Sequence, residues 1–317
     1  MTQAFSGPAA HTLISSTFPP RRRATANAIY TSGIYLGGAL ASVSMVLSRA
    51  YGWRTTALIV AASVAPPTAL LAFALREPPR TAAASALSAA SASSKRPSSP
   101  IEGLRTVLKV RSVRWLLAGT TARLFAGFAI GAWAAPYYRS AFPSRARQYS
   151  VINALIVAGG GTFSAVCGGI VADSLTSASS TSTSAASKPA PHRAALIPML
   201  GSLAAIPFWI CAVRTGSFGL AMGALLAAYL LAECWYGATI SMLQGALNSA
   251  VWGTAQGVLN LVQIVANLSP LLLGALHTRG TPLRLLLTLA VPLSYVTTAL
   301  CFWRAMEVRR AESAAAA

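Results

Sequence analysis

Residues 194–213 read AALIPMLGSLAAIPFWICAV, an apolar stretch that Arg193 closes on one side and Arg214 on the other. A helix needs about 20 such residues to cross the hydrocarbon core of a bilayer. The stretch lacks the two-residue alternation of a barrel strand, so it predicts a membrane-spanning helix. Seven more segments of comparable length and composition occur, at 25–48, 55–75, 113–138, 151–172, 218–242, 246–276 and 282–303.

The composition supports the same class of protein. Apolar residues form 55% of the 317-residue chain and charged residues only 10%. A soluble domain of this length cannot bury that much apolar surface, so we predict an all-α, polytopic membrane protein. Residues 1–18 are apolar and compatible with a helix, but they are short for a crossing and contain His11. They lack the basic leader of a signal peptide, so we expect a membrane segment that further sequence precedes.

The net charge of +19 is distributed unevenly between the loops. Lys and Arg number 16 on the side that holds Arg21, Arg22 and Arg23, and eight on the other side, while Arg123 lies within a span. Because positive residues concentrate in cytosolic loops, we predict that the first side and the C-terminus are cytosolic. The topology thus accounts for the charge, and no basic face with interleaved aromatic residues indicates a nucleic-acid partner.

Two polar stretches divide the apolar pattern. Residues 81–100 are rich in Ala and Ser, and residues 174–191 in Ser, Thr and Ala. Such stretches bury too little apolar surface to offset the entropy of ordering, so both are expected to be flexible cytosolic loops. The predicted organisation is an N-terminal part of three segments over 1–80, a flexible linker over 81–105, and a six-helix part over 106–317 with a flexible loop at 174–193.

Five motifs in the chain are distinctive: AFSGPAAHTLI at 4–14, FPPRRRATA at 18–26, IYTSGIYLGG at 29–38, GWR at 52–54 with REPPR at 76–80, and GGIVAD at 168–173. These motifs resemble those of Spinster-like proteins of the major facilitator superfamily. The resemblance places the first motif on the fourth of twelve family helices and the last in the signature loop after the eighth. It implies a major facilitator helical bundle that lacks the first three of the twelve helices.

A protein of that family is expected to be a secondary transporter that works by alternating access and moves an amphipathic anionic lipid or a small organic anion. Its partners would be that substrate, the bilayer and a proton or another coupling ion, in the plasma membrane or an endomembrane. The alternative is a truncated, non-transporting membrane protein that assembles with other chains. The sequence has no Walker loop, metal-ligand spacing or catalytic cluster, so we predict no cofactor, no metal and no enzymatic activity.

The signature loop departs from the family pattern. Asp173 is followed by Ser174 where the family has a basic residue, so Arg193 is the candidate to supply the missing charge. Together with Gly169, Asp173 and Arg193 form the predicted gating contact. Gln3 stands where the family carries an acid near the start of the fourth helix. An amide does not exchange protons near neutral pH, so no coupling role is expected there.

Among the charged residues, Glu233 and Arg123 are the acid and the base that lie deep within predicted spans. Ionisable groups in the hydrocarbon region are costly, which makes them candidates for a function that faces a cavity. Tyr229 and Tyr236, at i−4 and i+3 from Glu233, are expected on its helix face. The resemblance implies that a cationic position on the seventh family helix and an acidic one on the tenth contribute to the central site, and Arg123 and Glu233 fall on those helices. The alternative is a purely structural Arg–Glu pair.

Amides and glycines form two further patterns. Steps of four, three and four place four amides on one helix face, where they suit a polar cavity lining or, alternatively, hydrogen bonding between helices; they are Gln256, Asn260, Gln263 and Asn267. Glycines permit close approach of the fifth and eighth family helices, which face each other across the two halves; those expected at this contact are Gly33, Gly37, Gly160 and Gly168.

Overall fold

The computed structural model describes residues 2–74, 99–177 and 191–315, which are almost entirely helical. Six stretches of the described chain are long and apolar enough to cross a membrane: Arg111–Ala141, Pro143–Thr176, His192–Arg214, Phe218–Ala246, Ser249–Thr278 and Leu283–Ala315. They coincide with six of the predicted spans, which are thereby confirmed by length and composition. The chain is an all-α, multi-pass membrane protein.

The α-helices are numbered in chain order. They are α1 Thr2–Thr17, α2 Arg23–Ala74, α3 Pro100–Lys109, α4 Arg111–Ala141, α5 Ala146–Leu155, α6 Thr162–Ser177, α7 Leu196–Arg214, α8 Phe218–Ala232, α9 Trp235–Ala246, α10 Trp252–Ala266, α11 Ser269–Thr278 and α12 Leu283–Ala315. A π-helical turn, Ile156–Gly161, joins α5 to α6. Short 3-10 turns lie at Pro20–Arg22, Pro143–Arg145, Pro191–Ala195 and Ser249–Val251.

The two remaining predicted spans, 25–48 and 55–75, lie in α2 on either side of Gly52. Gly52 has φ 78° and ψ 159°, so the helical backbone is interrupted there. Residues with a Cβ rarely adopt this conformation, and glycine does so at little steric cost. The structure therefore contains two helical segments within α2, as the sequence predicts, up to the last described residue of this part.

The predicted flexible linker 81–105 and loop 174–193 fall mostly outside the described residues. Where they overlap with them, the structure differs from the prediction. α3 begins at Pro100, because the Ser99 side chain accepts a hydrogen bond from the backbone of the first turn and proline suits the first helical position. α6 likewise continues to Ser177. The pair Ser99–Pro100 is thus a local signal in the sequence for the start of α3.

The six-span part is held together by close helix contacts and by polar groups that find partners inside the bundle. α4 and α12 pack side by side, and a Cβ at Gly119 of α4 would lie only 2.9 Å from the ring of Phe302. Tyr138 and Trp209 are buried and donate hydrogen bonds of 3.0 Å to backbone carbonyls of neighbouring helices. Such bonds satisfy polar side chains where no water is present.

α1 and α2, called here the N-terminal unit, pack against one side of α4–α12, the C-terminal unit. α1 contacts α10, and α2 contacts α6 and α9. The second segment of α2 carries exposed apolar side chains, and Phe73 is 87% exposed. The interface between the units is thus built mainly from the first segment of α2.

Both units present basic residues at one end of the bundle, called here the Arg-rich end. It comprises the start of α2, α3, the end of α6 and the ends of α9 and α12. Arg23 of α2 lies over the Trp252 ring of α10 at 5.2 Å, and Arg309 of α12 donates a hydrogen bond to the Gly245 carbonyl in the last turn of α9. The charge count predicts that this end is cytosolic.

The close approach of α4 and α12 generates a stability prediction. Gly119→Val should lower the thermal stability of the detergent-solubilised protein, because the added methyl groups meet the buried Phe302 ring. Overpacking of this kind costs about 1–3 kcal/mol. The matched control is Gly131→Val on the same helix, where a Cβ would have no heavy atom within 4 Å. Equal melting temperatures of the two variants would contradict the prediction.

Candidate functional site

Arg123 lies near the middle of α4 and is almost completely buried, with 1% of its side chain exposed. Its Nη2 donates to Glu233 Oε1 at 2.9 Å and to the Ala232 carbonyl at 2.8 Å. The structure thus brings together the two intramembrane charges that the sequence singled out. A charge-assisted pair inside a low-dielectric bundle is stronger than the same pair in water.

A break between α8 and α9 makes this geometry possible. α8 ends at Ala232, and Glu233 and Cys234 have ψ near 0°, outside the helical range. Because the ladder of backbone hydrogen bonds is interrupted here, the Ala232 carbonyl is available to accept a hydrogen bond from Arg123. The same break projects the Glu233 carboxylate towards both the guanidinium and the N-terminal unit.

The second carboxylate oxygen of Glu233 binds a residue that the sequence analysis missed. Tyr35 of α2 donates its hydroxyl hydrogen to Glu233 Oε2 at 2.7 Å. Gly161 makes room for the phenol ring, since a Cβ there would lie 2.6 Å from the ring edge of Tyr35. Tyr35 stands inside the quoted motif at 29–38, but no periodic signal relates it to a carboxylate 198 residues away.

Aromatic rings enclose the other side of the guanidinium. Arg123 lies over the Trp235 ring at 5.4 Å and over the Tyr295 ring at 5.0 Å. Its Nε is buried and has no hydrogen-bond partner among the described residues. Tyr229 lies near Glu233 and Tyr295, as the spacing predicts for the Glu233 face. The charge is therefore balanced by one carboxylate, one carbonyl and two ring faces, and the buried Nε–H makes no hydrogen bond within the described chain.

Tyr236 lies elsewhere, which corrects the prediction that it shares a face with Glu233. Its ring lies 6.1 Å from that of His11, and its hydroxyl is in hydrogen-bonding contact with Gln256. The i+3 rule requires a continuous helix, and the break after Ala232 removes that condition. Trp235 occupies the expected place beside Arg123 instead.

Asp173 forms a second contact between the units, at the Arg-rich end. Its carboxylate accepts hydrogen bonds from Ala24 N at 3.1 Å, from Thr25 N at 2.8 Å and from Thr25 Oγ1 at 2.6 Å. It thus binds the free N–H groups at the start of α2, where the helix dipole favours a negative charge. Arg193 is exposed and is not the partner of Asp173, so the prediction that it replaces the missing loop charge is wrong.

The glycines at the interface differ from those predicted. Gly33 and Gly37 face open space, so they do not mediate close packing. Gly160 approaches Leu226, and Gly168 approaches Cys234. These two contacts lie within the C-terminal unit.

The glycines that permit close approach between the units are others. A Cβ at Gly169 would lie 2.7 Å from the Cβ of Ala28, and one at Gly237 would lie 2.9 Å from the same atom. Gly169 thus lies at a close contact between the units, and its role in gating stays a prediction. Only one face of α2 meets α6 and α9, and Gly33 and Gly37 lie outside that face.

The four predicted amides of α10 are only partly brought together. Gln256 is buried beside Tyr236, and Asn260 and Gln263 are half-buried. α10 ends at Ala266, so Asn267 is an exposed residue at the helix end rather than a fourth member of the row. The end of the helix therefore limits the polar face to three amides.

Comparisons with known proteins agree with this architecture. A family model described as "Major Facilitator Superfamily" matches residues 1–272. The chain belongs to the major facilitator superfamily. Its family and fold are those of secondary transporters, and it is an integral multi-pass membrane protein and not an enzyme. No curated protein matches the chain.

One solved structure shows the similarity of fold for this major facilitator protein. It is described as a bacterial homologue of the human lysosomal transporter Spinster, in an inward-facing and unoccupied conformation. The two chains are 19% identical and superpose with a TM-score of 0.53, over 94% of the present chain and 72% of the other. The Spinster-like resemblance read from the sequence motifs is thereby supported at the level of fold.

The contact at Gly169 predicts a measurable change in accessibility. Ser32 of α2 is 7% exposed and lies one turn after Ala28. Gly169→Val should push α2 away from α6, so a single cysteine in the Ser32→Cys variant, with the four native cysteines replaced by alanine, should react at least severalfold faster with a maleimide. Gly33→Val is the control, because Gly33 faces open space. Equal labelling rates in the two variants would show that Gly169 does not hold the units together.

Proposed function

We propose that this protein moves an amphipathic anionic lipid or a small organic anion by alternating access, with Arg123 and Glu233 as its central charged site. The observation that carries the proposal is the bridging of one carboxylate between the two units. Glu233 binds Arg123 of its own unit through one oxygen and Tyr35 of the N-terminal unit through the other. Any event that changes the charge or the partner of Glu233 therefore acts on the contact between the units.

An anionic substrate supplies such an event. Arg123 keeps its charge throughout the accessible pH range, and its Nε has no partner among the described residues. An anionic headgroup that binds the guanidinium through two parallel hydrogen bonds would compete with Glu233 for it. Glu233, released from Arg123, then needs another source of charge balance, and uptake of a proton is the simplest. The Tyr35 hydrogen bond would weaken with the loss of negative charge, and the units could separate.

The surroundings favour an amphipathic substrate. Trp235 and Tyr295 present aromatic surface beside the guanidinium, and the half-buried amides Asn260 and Gln263 offer neutral polar groups on α10. Aromatic and amide groups together suit a molecule with an apolar body and a charged end. The lipid alternative within the substrate class also rests on the Spinster-like motifs.

A second candidate function is a membrane subunit without transport activity that assembles with other chains. The observation in its favour is the exposed apolar surface of the second segment of α2, with Trp53, Leu58 and Phe73 all more than half exposed. Large apolar surfaces mark protein interfaces as well as lipid contact. The uptake experiment below separates the two functions, because a subunit of this kind would show no saturable flux under any pH gradient.

Uptake into proteoliposomes tests the central site. Three probes cover the proposed class: fluorescent lysophosphatidylglycerol, lysophosphatidylcholine as a headgroup without net charge, and succinate as a small anion. Arg123→Ala should abolish saturable uptake of the anionic probe while the protein still inserts. Glu233→Gln should reduce uptake and flatten its pH dependence, because an amide does not titrate. Arg304→Ala, at an exposed arginine of α12, is the control and should transport normally.

Two results of the uptake experiment would overturn the proposal. Normal uptake by both Arg123→Ala and Glu233→Gln would show that the ion pair is structural. A preference for lysophosphatidylcholine over lysophosphatidylglycerol would contradict recognition of an anion by Arg123 and would leave the alternating-access mechanism intact.

The Tyr35 hydrogen bond generates a prediction of its own. Tyr35→Phe removes only the hydroxyl that binds Glu233, and a hydrogen bond to a charged group contributes about 1.5–3 kcal/mol. The variant should shift the protein towards separated units and raise the maleimide labelling of the Ser32→Cys reporter about tenfold or more. Tyr30→Phe, at an exposed tyrosine of the same helix, is the matched control. Unchanged labelling of Tyr35→Phe would mean that Glu233 does not hold the N-terminal unit.

A further inference from the structure

A buried polar cluster joins the two units near the Arg-rich end, apart from Arg123 and Glu233. It consists of His11 on α1, Asn27 on α2 and Gln244 on α9, which are at most 5% exposed. His11 Nδ1 lies 2.7 Å from Asn27 Oδ1, and Asn27 Nδ2 lies 3.5 Å from Gln244 Oε1. Gln244 Nε2 donates to the His11 carbonyl at 3.1 Å. The three residues thus form a closed ring of contacts across the interface.

The hydrogen-bond partners determine the orientation of each group. Asn27 Nδ2 donates to the Arg23 carbonyl at 2.8 Å, and a carbonyl can only accept. Asn27 Oδ1 therefore faces His11, so the proton of the neutral imidazole must be on Nδ1. The same reasoning orients Gln244, whose Nε2 donates to a carbonyl and whose Oε1 faces Asn27. The lone pair of the neutral ring is consequently on Nε2.

His11 Nε2 makes no hydrogen bond among the described residues, and the residue as a whole is 4% exposed. The ring packs against Tyr30 of α2 at 5.1 Å and Tyr236 of α9 at 6.1 Å, and α10 contributes the neutral Gln256 beside Tyr236. Arg23 is the charged residue of the adjoining helical turn, and no carboxylate of the described chain contacts the imidazole. A second ring proton would place an uncompensated positive charge between aromatic side chains, which burial makes costly.

We propose that His11 Nε2 is a proton-binding site, and that binding of a proton there opens the Arg-rich end. The neutral ring fits the closed interface, whereas separation of α1 from α9 exposes Nε2 to water, which solvates the protonated form. Nδ1 donates to Asn27 in both forms, so α1 and α2 stay joined while their contact with Gln244 is lost. The closed state is thus favoured at high pH and the open state gains as pH falls. This inference rests on the alternating-access mechanism of the proposed function, and it adds that a proton shifts the equilibrium between the two states.

The Ser32→Cys reporter tests the proposal without a known substrate. In the otherwise unchanged reporter chain, labelling should rise by about threefold to tenfold between about pH 7.5 and about pH 5.5, where histidine changes charge. Rates are divided by those of the denatured protein at each pH, which removes the intrinsic effect of pH on the thiol. One proton can give at most a tenfold change per pH unit.

Two variants assign the pH response to a residue. His11→Gln keeps a donor for Asn27 but does not titrate, so its labelling should be independent of pH. His277→Gln, at an exposed histidine of the opposite end, should respond like the reporter chain. A pH response that survives in His11→Gln, or one that disappears in His277→Gln, would overturn the assignment to His11.

A direct titration keeps the proposal testable if His11→Gln fails to fold. With ¹³C-labelled histidine in a chain carrying His192→Gln and His277→Gln, the remaining imidazole signal belongs to His11. This residue should take up its proton at a higher pH when Gly169→Val separates the units than when they are closed. Identical titration midpoints would refute the proposal. Failure of the uptake experiment would leave this result unaffected, so the two hypotheses fail separately.

Discussion

The positive charge of a guanidinium in the middle of a membrane bundle must be balanced by groups that contact it. This requirement determines how the centre of the protein is organised. Arg123 takes one oxygen of Glu233 and the carbonyl that the helix break leaves free. A carboxylate has two oxygens to satisfy, and the second receives its hydrogen bond from Tyr35 of the N-terminal unit. Charge compensation within one unit thus becomes a contact between two units, which is what a transporter needs if a change in charge is to move helices.

At the Arg-rich end a buried charge is also balanced by groups that contact it, but the positive potential comes from the start of a helix. The first N–H groups of α2 have no partners within the helix, and they carry the positive end of its dipole. Asp173 satisfies two of them and the Thr25 hydroxyl as well. Because the helix itself supplies the complementary charge, the contact of Asp173 with α2 does not require the missing basic residue of the signature loop. This explains why Arg193 is free to remain exposed.

The sequence predicts the number and order of the spans well, because the hydrophobic length of a segment depends on that segment alone. Six spans, the interruption near Gly52 and the pairing of Arg123 with Glu233 could all be read from the residues. Positions that depend on partners distant in sequence could not. Tyr35 has no local signal that points to Glu233, and Tyr236 was misplaced because one non-helical turn changes the register of every later residue. The glycines were misplaced for a related reason, since a glycine shows that close approach is permitted and not that it occurs.

α2 connects the two inter-unit contacts. Thr25 binds Asp173 at its start, and Tyr35 binds Glu233 ten residues later, about 15 Å along a continuous helix. Ala28 lies between them, against Gly169 and Gly237. A rigid helix cannot leave one contact while it keeps the geometry of the other, so the contacts at Thr25 and Tyr35 form and break together. Each contact should then be worth only a few kcal/mol, because a substrate or a proton can shift the equilibrium by no more than its difference in affinity for the two states. Carboxylates that accept hydrogen bonds from neighbouring groups contribute a free energy within this limit. A larger apolar interface at the same place would exceed it and hold the units closed.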